Sequence, residues 1–122
     1  SARISRTQKN FERTRHSEDN INREVNRGIK VSFQSMQSQE RQVQSLEKSM
    51  LASGINRDQT REQFEMTGGS LFSLLEAEKE HHSSREQHLG GMVEYDLSKF
   101  RLLDSMGTLL PALNVLLQRD EQ

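Results

Sequence analysis

Cysteine is absent from this 122-residue chain, and so is tryptophan. Without cysteine there is no disulfide framework, no thiol nucleophile and no thiolate metal site. Proline occurs once and aromatic residues make up 5%, so the rings that fill most compact cores are scarce. Only 31% of the chain is hydrophobic. No run approaches the roughly 20 apolar residues of a membrane-spanning helix, and no secretion signal opens the chain. The start, Ser1-Ala2-Arg3, already lies in a helical pattern, which suggests an excised fragment of a longer protein. Net charge is small too, with 17 basic and 18 acidic residues leaving −1. That is neither the imbalance of a disordered tail nor a basic nucleic-acid surface, and no nucleic-acid partner is expected.

What is present is Gln, Ser, Glu and Arg, with charges of both signs interleaved. Helices wet on most of their surface have this composition. Residues 2–65 read as one helix. Ile29, Met36, Val43, Met50 and Phe64 fall on one seven-residue register, interrupted only by Arg57. The companion positions are Val25, Ser32, Gln39, Leu46, Ser53 and Thr60, mostly small or polar. This is a thin seam at coiled-coil spacing, with small residues that let another helix approach. Before Val25 the signal thins to Ile4, Phe11 and Ile21. Gly28 and Gly54 each cost a helix interior about 1 kcal/mol relative to Ala without breaking the pattern. At about 1.5 Å per residue such a helix would span roughly 90 Å, too long for a compact globule.

The strongest turn signal is Thr67-Gly68-Gly69-Ser70, giving a tip over 66–70. Gly68 or Gly69 can take the left-handed conformation that ends a helix, and Ser70 is a good N-cap for the next one. A second helix is expected over 70–106, from Leu71, Leu74, Leu75, Leu89, Met92, Val93, Phe100, Leu103 and Met106 at spacings of three and four. Its seam is expected at Leu71, Leu75, Phe100 and Leu103. Gly90-Gly91 in its middle reads either as a local weak point or as a close approach of a neighbouring backbone. Gly107 is a candidate C-cap, with Pro111 opening a short final helix over 111–117 and a polar tail after it. No strand pattern survives inspection. The expected fold is all-α, a long antiparallel two-helix coiled-coil hairpin.

Residues that could carry chemistry read more simply as packing or solvated groups. Glu78 and His82 at i,i+4, with His81 beside them and His88 further on, could share a face toward a metal. One helix supplies two or three ligands at best, and no second Glu-x-x-His copy exists. Asp19, Glu24, Asp58 and Glu62 lie on a polar helix among Arg and Lys, a solvated face rather than an acid/base pair. No serine sits in a nucleophile elbow, and the Gly pairs lack a phosphate-loop context. Arg3, Arg6, Arg13 and Arg15 could attract an acidic partner, but Glu12, Glu18 and Asp19 dilute them. No cofactor and no enzymatic activity are expected.

Phe64 to Ala77, F-E-M-T-G-G-S-L-F-S-L-L-E-A, resembles the second-repeat tip of the TolC-like outer-membrane efflux and secretion channels. That tip has the form F/Y-x-x-G-x-x-S/T-L-x-D-x-L-D-A, here carried by Phe64, Ser70, Leu71, Leu74, Leu75, Glu76 and Ala77. Val93-Glu94-Tyr95-Asp96 and Arg101-Leu102-Leu103-Asp104-Ser105-Met106-Gly107-Thr108-Leu109 are similar to the family's A-x-Y-D/N-Y and R/N-L-L-x-x-x-G-x-L ending. Arg23-Glu24-Val25 resembles the R-E-V that opens the preceding long helix. The resemblance covers most of the chain and implies one periplasmic hairpin of a trimeric α-helical barrel, hung below a β-barrel in the outer membrane of a Gram-negative bacterium.

The resemblance also implies a working end. In the family the tips meet a periplasmic adaptor protein that links the channel to an inner-membrane transporter. By position the contacts are Glu65, Met66, Thr67, Gly68, Gly69 and Ser70. The same region forms the periplasmic gate. In the best-known member a Tyr, an Arg and an Asp close it, at positions matching Phe64, Gly69 and Ser73 here. None of those polar groups is kept, and the tip Gly is displaced, with Thr67 in its place and Gly68 following. The implied function is a channel segment for type I secretion or efflux. The other expectation compatible with the residues is a stand-alone coiled-coil scaffold without channel activity.

Overall fold

The structure, a computed structural model, describes residues 2–120, and the side chains of all of these except 108–110, 112, 113, 116 and 120. Two helices account for nearly all of it: α1, Ala2–Thr67, and α2, Leu71–Asp120. They pack together, and no strand occurs among the described residues. By contact pattern the chain divides into two units, one of Ser35–Lys99 and one formed by residues up to Gln34 with those from Phe100 onward.

The unit of Ser35–Lys99 contains the turn. Its cross-helix contacts run from Arg61 with Glu78, through Ser53 with His81, to Leu46 and Val43 beside Gly91. Residue numbers fall along α1 as they rise along α2, so the helices are antiparallel here. From α1 the seam positions are Met36, Gln39, Val43, Leu46, Met50, Arg57, Thr60 and Phe64, half-buried, with Ser53 buried and Gly54 beside it half-buried too. The spacing is three and four throughout, the heptad seam of a coiled coil. Arg57 holds its place in this register, half-buried, with its guanidinium on the Asp58 carboxylate at 3.0 Å.

From α2 the covered positions in this unit are Leu74, Ala77, Glu78, His81, Ser84, His88, Gly91, Tyr95 and Ser98. Ala77, Ser84, Gly91 and Ser98 among them are small. Ala77 is 4% exposed, and Ser98, whose hydroxyl donates to the Tyr95 carbonyl at 2.6 Å, is 1% exposed. The larger α1 side chains enter spaces that small α2 residues leave. At Gly91 the fit is tight: a β-carbon there would stand 2.6 Å from Leu46 Cδ1.

This corrects the expected α2 seam. Leu71 and Leu75 lie outside it, at 56% and 58% exposure, while their neighbour Leu74 is half-buried. Two sets on α2 share the three-four spacing, one of large apolar residues and one of small residues. Cores close to crystal-like density, and at Gly91 it is the missing side chain that admits Leu46. The Gly90-Gly91 alternatives divide between the two residues: Gly91 is buried against α1 side chains, whereas Gly90 meets open space.

In the unit of residues 2–34 and 100–120, Glu18 pairs with Arg119 and Ser32 with Ser105, again in antiparallel order. The Ser105 hydroxyl donates to the Arg101 carbonyl at 2.9 Å. With its single proton so placed, it accepts from Ser32 across the 3.0 Å between the two oxygens. Val25, Ile29, Ser32, Leu102 and Ser105 are half-buried. The expected seam residues Phe100 and Leu103 lie outside, at 68% and 61% exposure, while Leu102 beside Leu103 is half-buried.

The separate final helix over 111–117 is also corrected. α2 runs unbroken from Leu71 to Asp120 with Pro111 inside it. Gly107 does not cap a helix, since Gly68 alone has positive φ among the described residues. Pro111 withholds an N–H from the carbonyl four residues back, which belongs to Gly107.

Candidate functional site

The turn is built from its capping chemistry. Thr67 ends α1, two residues later than expected, with its hydroxyl donating to the Gln63 carbonyl at 2.6 Å. Gly68 follows with φ of 67°, a conformation that glycine adopts at no steric cost. Its N–H donates to the Phe64 carbonyl at 3.0 Å, the single-bond left-handed cap. Ser70 is the N-cap of α2, its Oγ accepting the Ser73 N–H at 3.3 Å. Gly69 lies half-buried between the two caps.

The tip candidates divide between helix and loop. Glu65, Met66 and Thr67 form the last residues of α1, while Gly68, Gly69 and Ser70 form the loop. All but Gly69 are exposed. Met66 is 76% exposed, and Phe72 on the first turn of α2 is also strongly exposed. A shallow groove of about 330 Å³ lies beside the tip, lined by Gln59, Glu62, Gln63, Met66 and Thr67. Of the gate-rim positions, Phe64 is half-buried in the seam, Gly69 lies in the loop, and Ser73 is exposed with its backbone N–H held by Ser70.

A second surface was missed by reading apolar spacing as seam. Leu71, Phe72, Leu75, Leu89, Met92, Val93 and Leu97 of α2 are exposed in the unit of Ser35–Lys99. Phe100, Leu103 and Met106 are exposed in the other. They occupy the heptad positions beside the seam, so α2 carries an exposed apolar series besides the face packed on α1. The sequence signal was the pair of three-four series on α2.

The histidines separate by environment. His81 is half-buried in the seam, its Nδ1 3.1 Å from Ser53 Oγ. His88 is half-buried seven residues on, and His82 is exposed with its Nε2 3.1 Å from Glu86. Glu78, the proposed companion of His82, instead pairs with Arg61 across the helices. Among the described residues no group of three or more His, Cys, Asp or Glu side chains could hold a metal ion. Among the same residues no helix is long and apolar enough to cross a membrane. Comparison with protein-family models, with curated proteins and with solved structures finds no match for the chain.

Proposed function

We propose that the chain is a wall segment of a trimeric, TolC-like α-helical barrel. In this reading it lies in the periplasm, belongs to an outer-membrane channel for type I secretion or efflux, and docks an adaptor protein through its tip. The observation that carries the reading is the second face of α2. A helix pairing with one neighbour needs one seam, whereas a helix in a closed wall needs one on each side. Leu75, Leu89, Val93, Phe100 and Leu103 stand exposed although α2 is already packed against α1. The exposed α1 positions 35, 38, 42, 45, 49, 52 and 56 carry Ser, Ser, Gln, Ser, Ser, Ala and Asn, none of them charged. Unlike edges of this kind suit a head-to-tail contact that closes into a ring.

The capped, exposed turn supports the docking role of residues 65–70. Replacing Thr67-Gly68-Gly69 by bulky or charged residues in the full-length protein is expected to abolish export while trimers still assemble. Normal export from that variant would sink the tip assignment. A second reading, a coiled-coil scaffold that binds a partner helix, uses the same exposed face of α2. It has no channel role and no requirement for the tip.

A further inference from the structure

We propose that the outward face of α2 binds the same face of a second copy, antiparallel, in a twofold dimer of this chain. Outside its seam α2 carries a second heptad series. Phe72, Leu75, Leu89, Val93, Phe100 and Leu103 follow one alternation of three and four, and Lys79, His82, Glu86 and Asp96 fill the steps between them. All ten positions are exposed, on one unbroken helix. A complete three-four series on a helix is the seam of a coiled coil, and this one has no partner helix within the hairpin.

The charges in the series choose the partner and its direction. A parallel copy would set Lys79 on Lys79, Glu86 on Glu86 and Asp96 on Asp96, all like charges. An antiparallel copy can instead place Phe72 opposite Leu103, Leu75 opposite Phe100 and Lys79 opposite Asp96 of the second copy. Beside that ion pair, Glu78, which holds Arg61 within its own chain, comes level with Lys99 of the second copy. The twofold repeats each of these contacts. Nearer the centre His82 meets Val93 and Glu86 meets Leu89, where a polar side chain lays its apolar part on its neighbour and keeps its polar end in water. Sliding one copy by a heptad is unfavourable both ways. One direction brings Arg85 onto Arg85, the other brings Glu86 onto Asp96. Like charges placed together exclude those registers, and the remaining one covers the apolar ends of both copies. The dimer does not rest on the channel reading. It points the two turns in opposite directions, so it covers the apolar face of a hairpin not built into a wall and has to open before one forms.

The test is the mass of the 122-residue chain in solution, by light scattering over a concentration series. The expected result is a reversible dimer. Lys79→Glu sets a carboxylate against Asp96 of the second copy and is expected to weaken dimerisation about tenfold or more, as is Asp96→Lys, which sets two ammonium groups together. The two combined restore the pair with its signs exchanged and are expected to return dimerisation to near the parental value. Circular dichroism should show the same helical content in all four proteins, since both positions are exposed. The chain has no cysteine, so direction is read by cross-linking under mild oxidation. Leu75→Cys mixed with Phe100→Cys is expected to give a disulfide-linked dimer faster than either variant alone. A monomer at every concentration or a trimer overturns the proposal. So does a double charge variant that dimerises no better than the single ones, or Leu75→Cys linking to itself as fast as to Phe100→Cys.

Discussion

Gly90 and Gly91 are neighbours with opposite requirements. Gly90 meets open space, so Gly90→Ala is expected to stabilise the helix by up to about 1 kcal/mol through restored propensity. Gly91 faces Leu46 Cδ1 at 2.6 Å from the position of a β-carbon. Gly91→Ala gains the same propensity but overpacks the seam, at a cost of about 1–3 kcal/mol. Thermal unfolding should show a lower midpoint for Gly91→Ala and a higher one for Gly90→Ala. The Gly91→Ala loss should shrink in a Leu46→Ala background, because the clash is with that side chain. At the turn, Gly68→Ala must place a β-carbon at φ of 67° and is expected to cost about 1–2 kcal/mol. Ser70→Ala, which loses the cap on Ser73, should cost about 1 kcal/mol by the same measurement. These requirements were legible in the sequence at the turn, where glycine and serine have local roles. They were not legible at Gly90-Gly91, because only the approach of Leu46 distinguishes the two.

On α1 the heptad of Ile29, Met36, Val43 and Met50 is simultaneously the most apolar series and the half-buried one, so periodicity and packing agree. On α2 they diverge. Its most apolar series lies outside, and its inner face is largely Ala, Ser, His and Gly. Leu75→Gln and Phe100→Gln are therefore expected to change the unfolding free energy of the monomeric chain by no more than about 0.5 kcal/mol, as surface substitutions do. Leu74→Ala, one residue from Leu75 but half-buried, should cost more, about 1–2 kcal/mol. Chemical denaturation of the three variants separates the faces, and equal losses would contradict the assigned seam. Within the same helix, Pro111→Ala restores the hydrogen bond to the Gly107 carbonyl. It is expected to slow amide exchange at the residues flanking 111, by an amount reflecting up to about 3 kcal/mol of relieved helix penalty. No change there would mean that α2 does not continue through Pro111.

For the molecule as a whole, a low apolar fraction coexists with exposed Leu, Phe, Met and Val on one helix. Single exposed apolar residues need no explanation, but a repeated series marks a contact surface. On the proposed wall reading, Leu75→Asp combined with Phe100→Asp is expected to block assembly into trimers, read by sizing and cross-linking, without unfolding the hairpin. Assembly at the parental level would remove the wall reading and leave the scaffold. The helical state, the turn at residues 68–70 and the α1 register follow from the sequence by itself, because each depends on neighbours within one or two turns: capping groups, φ freedom and three-four spacing. Which face of α2 turns inward was decided only in the tertiary structure. Hydrophobicity ranks residues by their aversion to water and favours Leu71, Leu75, Phe100 and Leu103, whereas packing ranks them by whether they leave room for the partner. Leu46 and Val43 needed a neighbour without a side chain, and Gly91 provides it.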